Sequence, residues 1–170
     1  MADVALSLGA NLGDRASYMR RMEQGLEKIL EPPFAVSRLM ETEPLGTAGD
    51  HPWYYNRVVL GKFRGAPRDL LGACQALEVR LGRTRPAKYA PRTADIDILL
   101  FEEVLVNEAD LVIPHLHLLD RRFCLEGLLE LAPDRRIPGQ VKTVRELVAA
   151  MADDIRMQRI RYITKKKCEV

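Results

Sequence analysis

Cysteine is scarce in this chain: Cys74, Cys124 and Cys168 are the only ones in 170 residues. They are odd in number, widely spaced and lack a C-x-x-C pairing, which excludes a zinc or redox motif of that kind. Cys74 and Cys124 fall at helical core positions. Long apolar runs are also missing, since no stretch approaches the roughly 18 residues that a membrane helix needs. Met1 leads into an acidic residue and a strand, with no basic segment or cleavage site between them, so the expectation is a cytoplasmic protein with no membrane partner. Neither charge sign dominates. Lys and Arg number 26 against 24 Asp and Glu, and the net charge of +2 is too small to imply nucleic acid as the main partner. The glycines of "LGANLG" are not followed by G-K-[ST], which argues against a Walker-type NTPase. Repeats and low-complexity linkers are absent as well.

What is present is ordinary for a globular protein: 47% apolar and 29% charged residues, in a chain of the size of one domain. "DVALSLG" reads as a first strand, and Asp14 is placed to cap a helix running from Arg15 to Leu30. "FAVSRLME" alternates as a second strand, and "TEPLGTAGDHPW" is a loop rich in turn residues. A third strand spans Tyr55 to Arg64, and Pro67 opens a second helix that ends at Gly82. The next strand is "APRTADIDILLF", followed by a hairpin from "EVLVNE" and "LVIPH". A third helix, Arg122 to Leu131, and a Thr143-capped segment "VRELVAAMA" precede a weakly patterned end. The order β-α-β-β-α-β predicts an α+β fold of the ferredoxin-like kind, an antiparallel sheet with helices on one face. The hairpin and C-terminal helices are additions to that core. The other sheet face is then available for a ligand.

The strand from Ala90 to Phe101 looks buried, yet it carries Asp95 and Asp97. Alternation puts Ala94, Ile96, Ile98 and Leu100 on one face and Asp95, Asp97, Leu99 and Phe101 on the other. At ~3.3 Å per residue the carboxylate roots stand ~7 Å apart, near enough to converge on one or two hard cations such as magnesium. The plain alternative is a solvated strand end. Just upstream, Arg83, Arg85, Lys88 and Arg92 form a basic loop without an acid, so cation bridge and direct guanidinium contacts, the two halves of a polyphosphate site, lie side by side. A separate run, Lys165 to Lys167, reads as a solvated tail. His115 in "IPHLH" is a candidate phosphate donor; its spacing to His117 also permits zinc, though no further His or Cys stands nearby. Tyr54, Tyr55 and Phe123 are either core aromatics or faces on which a flat heterocycle stacks.

Taken together, "SLGANLGD", "TEPLG", "YYNRVV", "ALEVRLGRTR", "PRTADIDILLF" and "IPHLHLLDRRF" resemble the 6-hydroxymethyl-7,8-dihydropterin pyrophosphokinases of folate biosynthesis. The resemblance runs from the first strand to about Pro133, within one domain of residues 1–170; the region after about Gly139 is an extension. It implies transfer of the diphosphoryl group of ATP to the pterin hydroxymethyl oxygen, with release of AMP and with two magnesium ions. It implies that Asp95 and Asp97 are the metal ligands, that Arg83 and Arg92 are catalytic cations, and that ATP is held by Glu78, Arg83, Arg85, Arg92, His115 and Arg121. For the pterin it implies Thr42, Pro44, Leu45, Tyr54, Asn56 and Phe123, with Tyr54 and Phe123 sandwiching the ring. A monomer is the family expectation. The chain departs from enterobacterial members at Tyr89, Leu116 and Arg122. Two other readings compete with this one: an RNA-binding module using the open sheet face, and a different phosphoryl or nucleotidyl transferase on the same fold. Against the first, the strands lack aromatic RNA-binding patterns and set two carboxylates where phosphate would be repelled.

Overall fold

The first strand, β1 (Ala2–Ala10), is buried along almost its whole length, which requires cover on both faces of the sheet. The computed structural model describes residues 1–45, 52–82 and 94–164. In it β1 is followed by α1 (Arg15–Leu26), β2 (Glu31–Val36), β3 (Met40–Thr42), β4 (Tyr54–Phe63) and α2 (Pro67–Arg80). Then come β5 (Asp95–Phe101), the hairpin β6 (Val106–Glu108) and β7 (Leu111–Ile113), α3 (Arg122–Leu131), α4 (Val144–Ala149), α5 (Asp153–Arg156) and β8 (Ile160–Tyr162). The main sheet runs β5-β1-β4-β3-β8, with β2 also paired to β4, and every pairing in it is antiparallel. The fold is therefore α+β. Among the described residues no helix is long and apolar enough to cross a membrane.

One face of the sheet meets α1 and α2: Val4, Leu6 and Leu8 of β1 pack with Met19, Met22 and Leu26 and with Leu70, Cys74 and Leu77. The second face is not left open, as helices on one face alone would have it. Cys124, Leu125 and Leu128, the apolar stripe of α3, join Ala5, Val58 and Leu99 in a second core, which Ile137, Val144 and Met151 extend. Among the described residues, this second face leaves space for a ligand beyond the start of α3. Asp14 caps α1 by accepting from the Ser17 amide at 2.9 Å, as expected, but the helix stops at Leu26, short of the predicted Leu30. Helix α3 has its predicted bounds, and Thr143 caps α4.

Two strands differ from expectation for local reasons. The predicted second strand, Phe34 to Glu41, is split into β2 and β3 at Ser37, whose hydroxyl accepts from the Val58 amide at 2.9 Å. A side chain thus replaces a ladder bond and the strand bends. In β5, Ala5 faces Leu100 and Leu6 faces Ile98, so Leu99 is an extra residue, a β-bulge. The bulge inverts the alternation beyond it. Leu100 enters the second core and Phe101 the first, the reverse of the assignment made from strict alternation. Asp95 and Asp97 lie before the bulge and keep their common face. The C-terminal segment, weakly patterned in sequence, adds β8 to the sheet beside β3.

Candidate active site

Strand β1 is the floor of the site. Gly9 stands between Asp95 of β5 and Asn56 of β4, and Ser7 stands between Asp97 and Val58. With no side chain at Gly9 the floor is open. A Cβ there would lie 3.0 Å from Asn56 Oδ1 and 3.9 Å from Asp95 Cβ. Above this gap is a cavity of about 250 Å³ at the free end of the second sheet face.

Of the residues singled out in the sequence, Thr42, Leu45, Tyr54, Asn56, Asp95, Asp97, Arg121 and Phe123 line this one cavity. They come from β3 and the segment just after it, from β4 and β5, and from the start of α3. Asn56 Nδ2 donates to Thr42 Oγ1 at 2.7 Å, a buried pair that orients the amide between neighbouring strands. Pro44 lies between lining residues without lining the cavity itself. Glu78 lies outside it: it is buried on α2 and accepts from the Ile96 amide at 2.7 Å, one residue from each aspartate. Arg83, Arg85 and Arg92, with Lys88 and Tyr89, lie outside the described residues.

Two side chains approach Asp97. Arg121 Nη1 donates to its Oδ2 at 3.3 Å, and His115 Nε2 stands 3.7 Å from the same oxygen. His115 Nδ1 accepts from the His117 amide at 3.1 Å, which places the ring proton on Nε2, toward the carboxylate. Burial, reinforced by the Arg121 and His117 charges and opposed by Asp95, pushes the imidazole down to about 4, so at neutral pH it is an uncharged donor. His117 itself sits 3.4 Å from Asp120. Two carboxylates on one face with room beside them suit magnesium, which takes one or two protein carboxylates and fills its other positions with water or phosphate oxygens. Among the described residues no three His, Cys, Asp or Glu side chains are grouped as a closed metal site would need.

Sequence reasoning missed several wall residues: Ser7, Glu43, Gln158, Arg159 and Ile160. Ser7 and Gly9 lie in the quoted motif "SLGANLGD" and Glu43 in "TEPLG", but the place of Gly9 between Asp95 and Asn56 is visible only across the sheet. The last three come from β8 and the turn before it, and nothing in their local pattern announces a site.

A carboxylate pair, a guanidinium and a neutral imidazole beside a slot with two aromatic side chains make a site for an enzyme that handles phosphate. Residues 5–133 match the sequence model of the 7,8-dihydro-6-hydroxymethylpterin-pyrophosphokinase family, and the chain belongs to that family, an ATP-dependent pyrophosphokinase and thus a transferase. It is similar to the 2-amino-4-hydroxy-6-hydroxymethyldihydropteridine pyrophosphokinase of Pseudomonas aeruginosa, with 40% identity over 86% of this chain and 90% of that one. The enzyme of the same name from Methylorubrum extorquens is 36% identical over 89% of this chain and 94% of its own. Among solved structures, the wild-type Plasmodium falciparum HPPK-DHPS with pteroate matches with a TM-score of 0.72 at 17% identity, over 97% of this chain and 48% of that one. The chain thus spans about half of that longer protein. At that identity the likeness is one of fold.

Proposed function

We propose that this protein transfers the diphosphoryl group of ATP to the hydroxymethyl oxygen of 6-hydroxymethyl-7,8-dihydropterin, giving AMP and the pterin diphosphate, a step of folate biosynthesis. The observation that carries this reading is the convergence of Asp95 and Asp97 with Thr42, Leu45, Tyr54, Asn56 and Phe123 on one cavity. The strand order supports a ferredoxin-like core, with β2 and β3 together as its second strand. A monomer in the cytoplasm is the simplest expectation from the family.

In this reading Tyr54 and Phe123 take the two faces of the pterin, and Asn56, held by Thr42, meets its hydrogen-bonding edge. Leu45, with Pro44 behind it, excludes water from the ring. Arg121 and His115 donate to phosphate oxygens of ATP from beside Asp97. Glu78 acts from beneath, by fixing the Ile96 amide and with it the strand that carries both aspartates. Arg83, Arg85 and Arg92 add cations along the polyphosphate, with Arg83 and Arg92 countering the charge that develops in the transition state. Asp95 and Asp97 would hold magnesium, two ions in the family pattern, which would neutralise phosphate charge when bound. In-line attack by the pterin hydroxyl then depends on how well the slot and the phosphate contacts align the two substrates.

Product analysis tests the proposal. Purified protein with ATP, magnesium and 6-hydroxymethyl-7,8-dihydropterin should release AMP only when the pterin is present. Release of ADP would point to a phosphoryl transferase, and no nucleotide product would return the binding-module reading to the front.

A further inference from the structure

The two walls of the proposed ring slot come from distant parts of the chain: Phe123 from the first turn of α3, and Thr42 to Leu45 from the end of β3. A third segment, outside the 5–133 region matched by the family, joins them. Gln158 grips the helix side, with Oε1 accepting from the Arg122 amide at 2.9 Å and Nε2 donating to the Asp120 carbonyl at 2.7 Å. The Arg122 amide is one of the first N–H groups of α3, which have no partner within the helix. Arg122 returns the contact through Nη1 to the carbonyls of Arg156 at 2.7 Å and Gln158 at 3.1 Å.

The next residue, Arg159, grips the other wall. Its amide donates to Glu43 Oε1 at 2.9 Å, its Nε to Glu43 Oε2 at 2.6 Å, and the Glu43 amide donates to the Arg159 carbonyl at 3.3 Å. These contacts hold the Glu43 carboxyl below the usual carboxylate range. Glu43, Gln158, Arg159 and Ile160 all line the cavity as well.

We infer that Gln158 and Arg159 are positioning residues, a brace that sets the separation of Phe123 from Thr42–Leu45 and thereby the fit of the pterin ring. The inference rests on the proposed function. The Arg159 side chain is 67% exposed, and an exposed ion pair contributes little to folding stability, so the brace is expected to act on ring binding and not on the fold.

The test is steady-state kinetics on the full-length chain with Arg159→Ala, Arg159→Lys and Gln158→Ala, together with the Tm of each. Arg159→Ala and Gln158→Ala should each raise the pterin KM by roughly threefold to tenfold, because a misplaced slot wall costs binding even where the lost contact is itself weak. The KM for ATP and the Tm should stay close to wild type. Arg159→Lys, which retains the cation without the fork, should recover part of the loss. An unchanged pterin KM in both alanine variants overturns the brace, as does a parallel rise of both KM values with a fall in Tm, which would mark a merely structural contact. If the wild-type chain releases no AMP, the diphosphoryl-transfer reading fails and the brace falls with it. AMP from wild type with unaffected variants removes the brace alone.

Discussion

Asp97 meets two donors, because Arg121 and His115 both approach its Oδ2. Replacing it by Ala removes a carboxylate proposed to hold magnesium, and turnover should fall by about 10² to 10³. Asp95→Ala should behave alike. Circular dichroism should show both variants folded, and near-normal turnover would contradict the assignment. Gly9 makes the opposite kind of contribution, through absence. A Cβ there approaches Asn56 Oδ1 at 3.0 Å, so Gly9→Val should displace the amide and fill the floor. The pterin KM should rise by roughly tenfold or more, since small misplacements of a binding group are costly. A pterin KM equal to wild type would show that the ring does not reach the floor. The aspartate spacing was legible in the sequence because a strand has a period of two residues. The role of Gly9 was not, since it depends on which residues flank it across the sheet.

At the scale of elements, α3 does two jobs: its start carries Arg121 and Phe123 to the cavity, and its apolar stripe closes the second core. It lies close to β4 at Gly127, where a Cβ would come within 2.3 Å of Val58 Cγ2. Gly127→Ala should therefore cost about 1–3 kcal/mol of stability through overpacking, read as a shift of the denaturation midpoint. An unshifted midpoint would mean that the helix can move away from β4 without loss. The bounds of α3 were readable from periodicity, but its cover of the second face was not. Amphipathicity says that a helix buries a stripe; it does not say against which surface. The bulge at Leu99 belongs to the same class, because one extra residue in a ladder leaves no mark in a run as uniformly apolar as "ILLF".

The whole molecule couples its folding to the state of the site through His115. Its ordinary value is 6.5 and its folded value about 4, so between them the unfolded chain binds more protons than the folded one. Stability is then lost as pH falls from about 6.5 toward about 4, and His115 adds no pH dependence above that window. Thermal melts of metal-free protein in chelator should show this decline, and His115→Gln should flatten that part of the curve. An unaltered curve in the variant would assign the decline to other groups.

Local chemistry determined much of this protein: the α+β class, most of the helix and strand starts, and the common face of Asp95 and Asp97. These are consequences of backbone period, capping and residue type, and each acts over a few positions of chain. Tertiary structure alone decided that α3 covers the second face, that Glu78 accepts from the Ile96 amide outside the cavity, and that the C-terminal segment returns as β8 beside the cavity. Those outcomes depend on contacts between residues far apart in the chain, such as Glu43 with Arg159, whose free energy exists only once the intervening chain has folded.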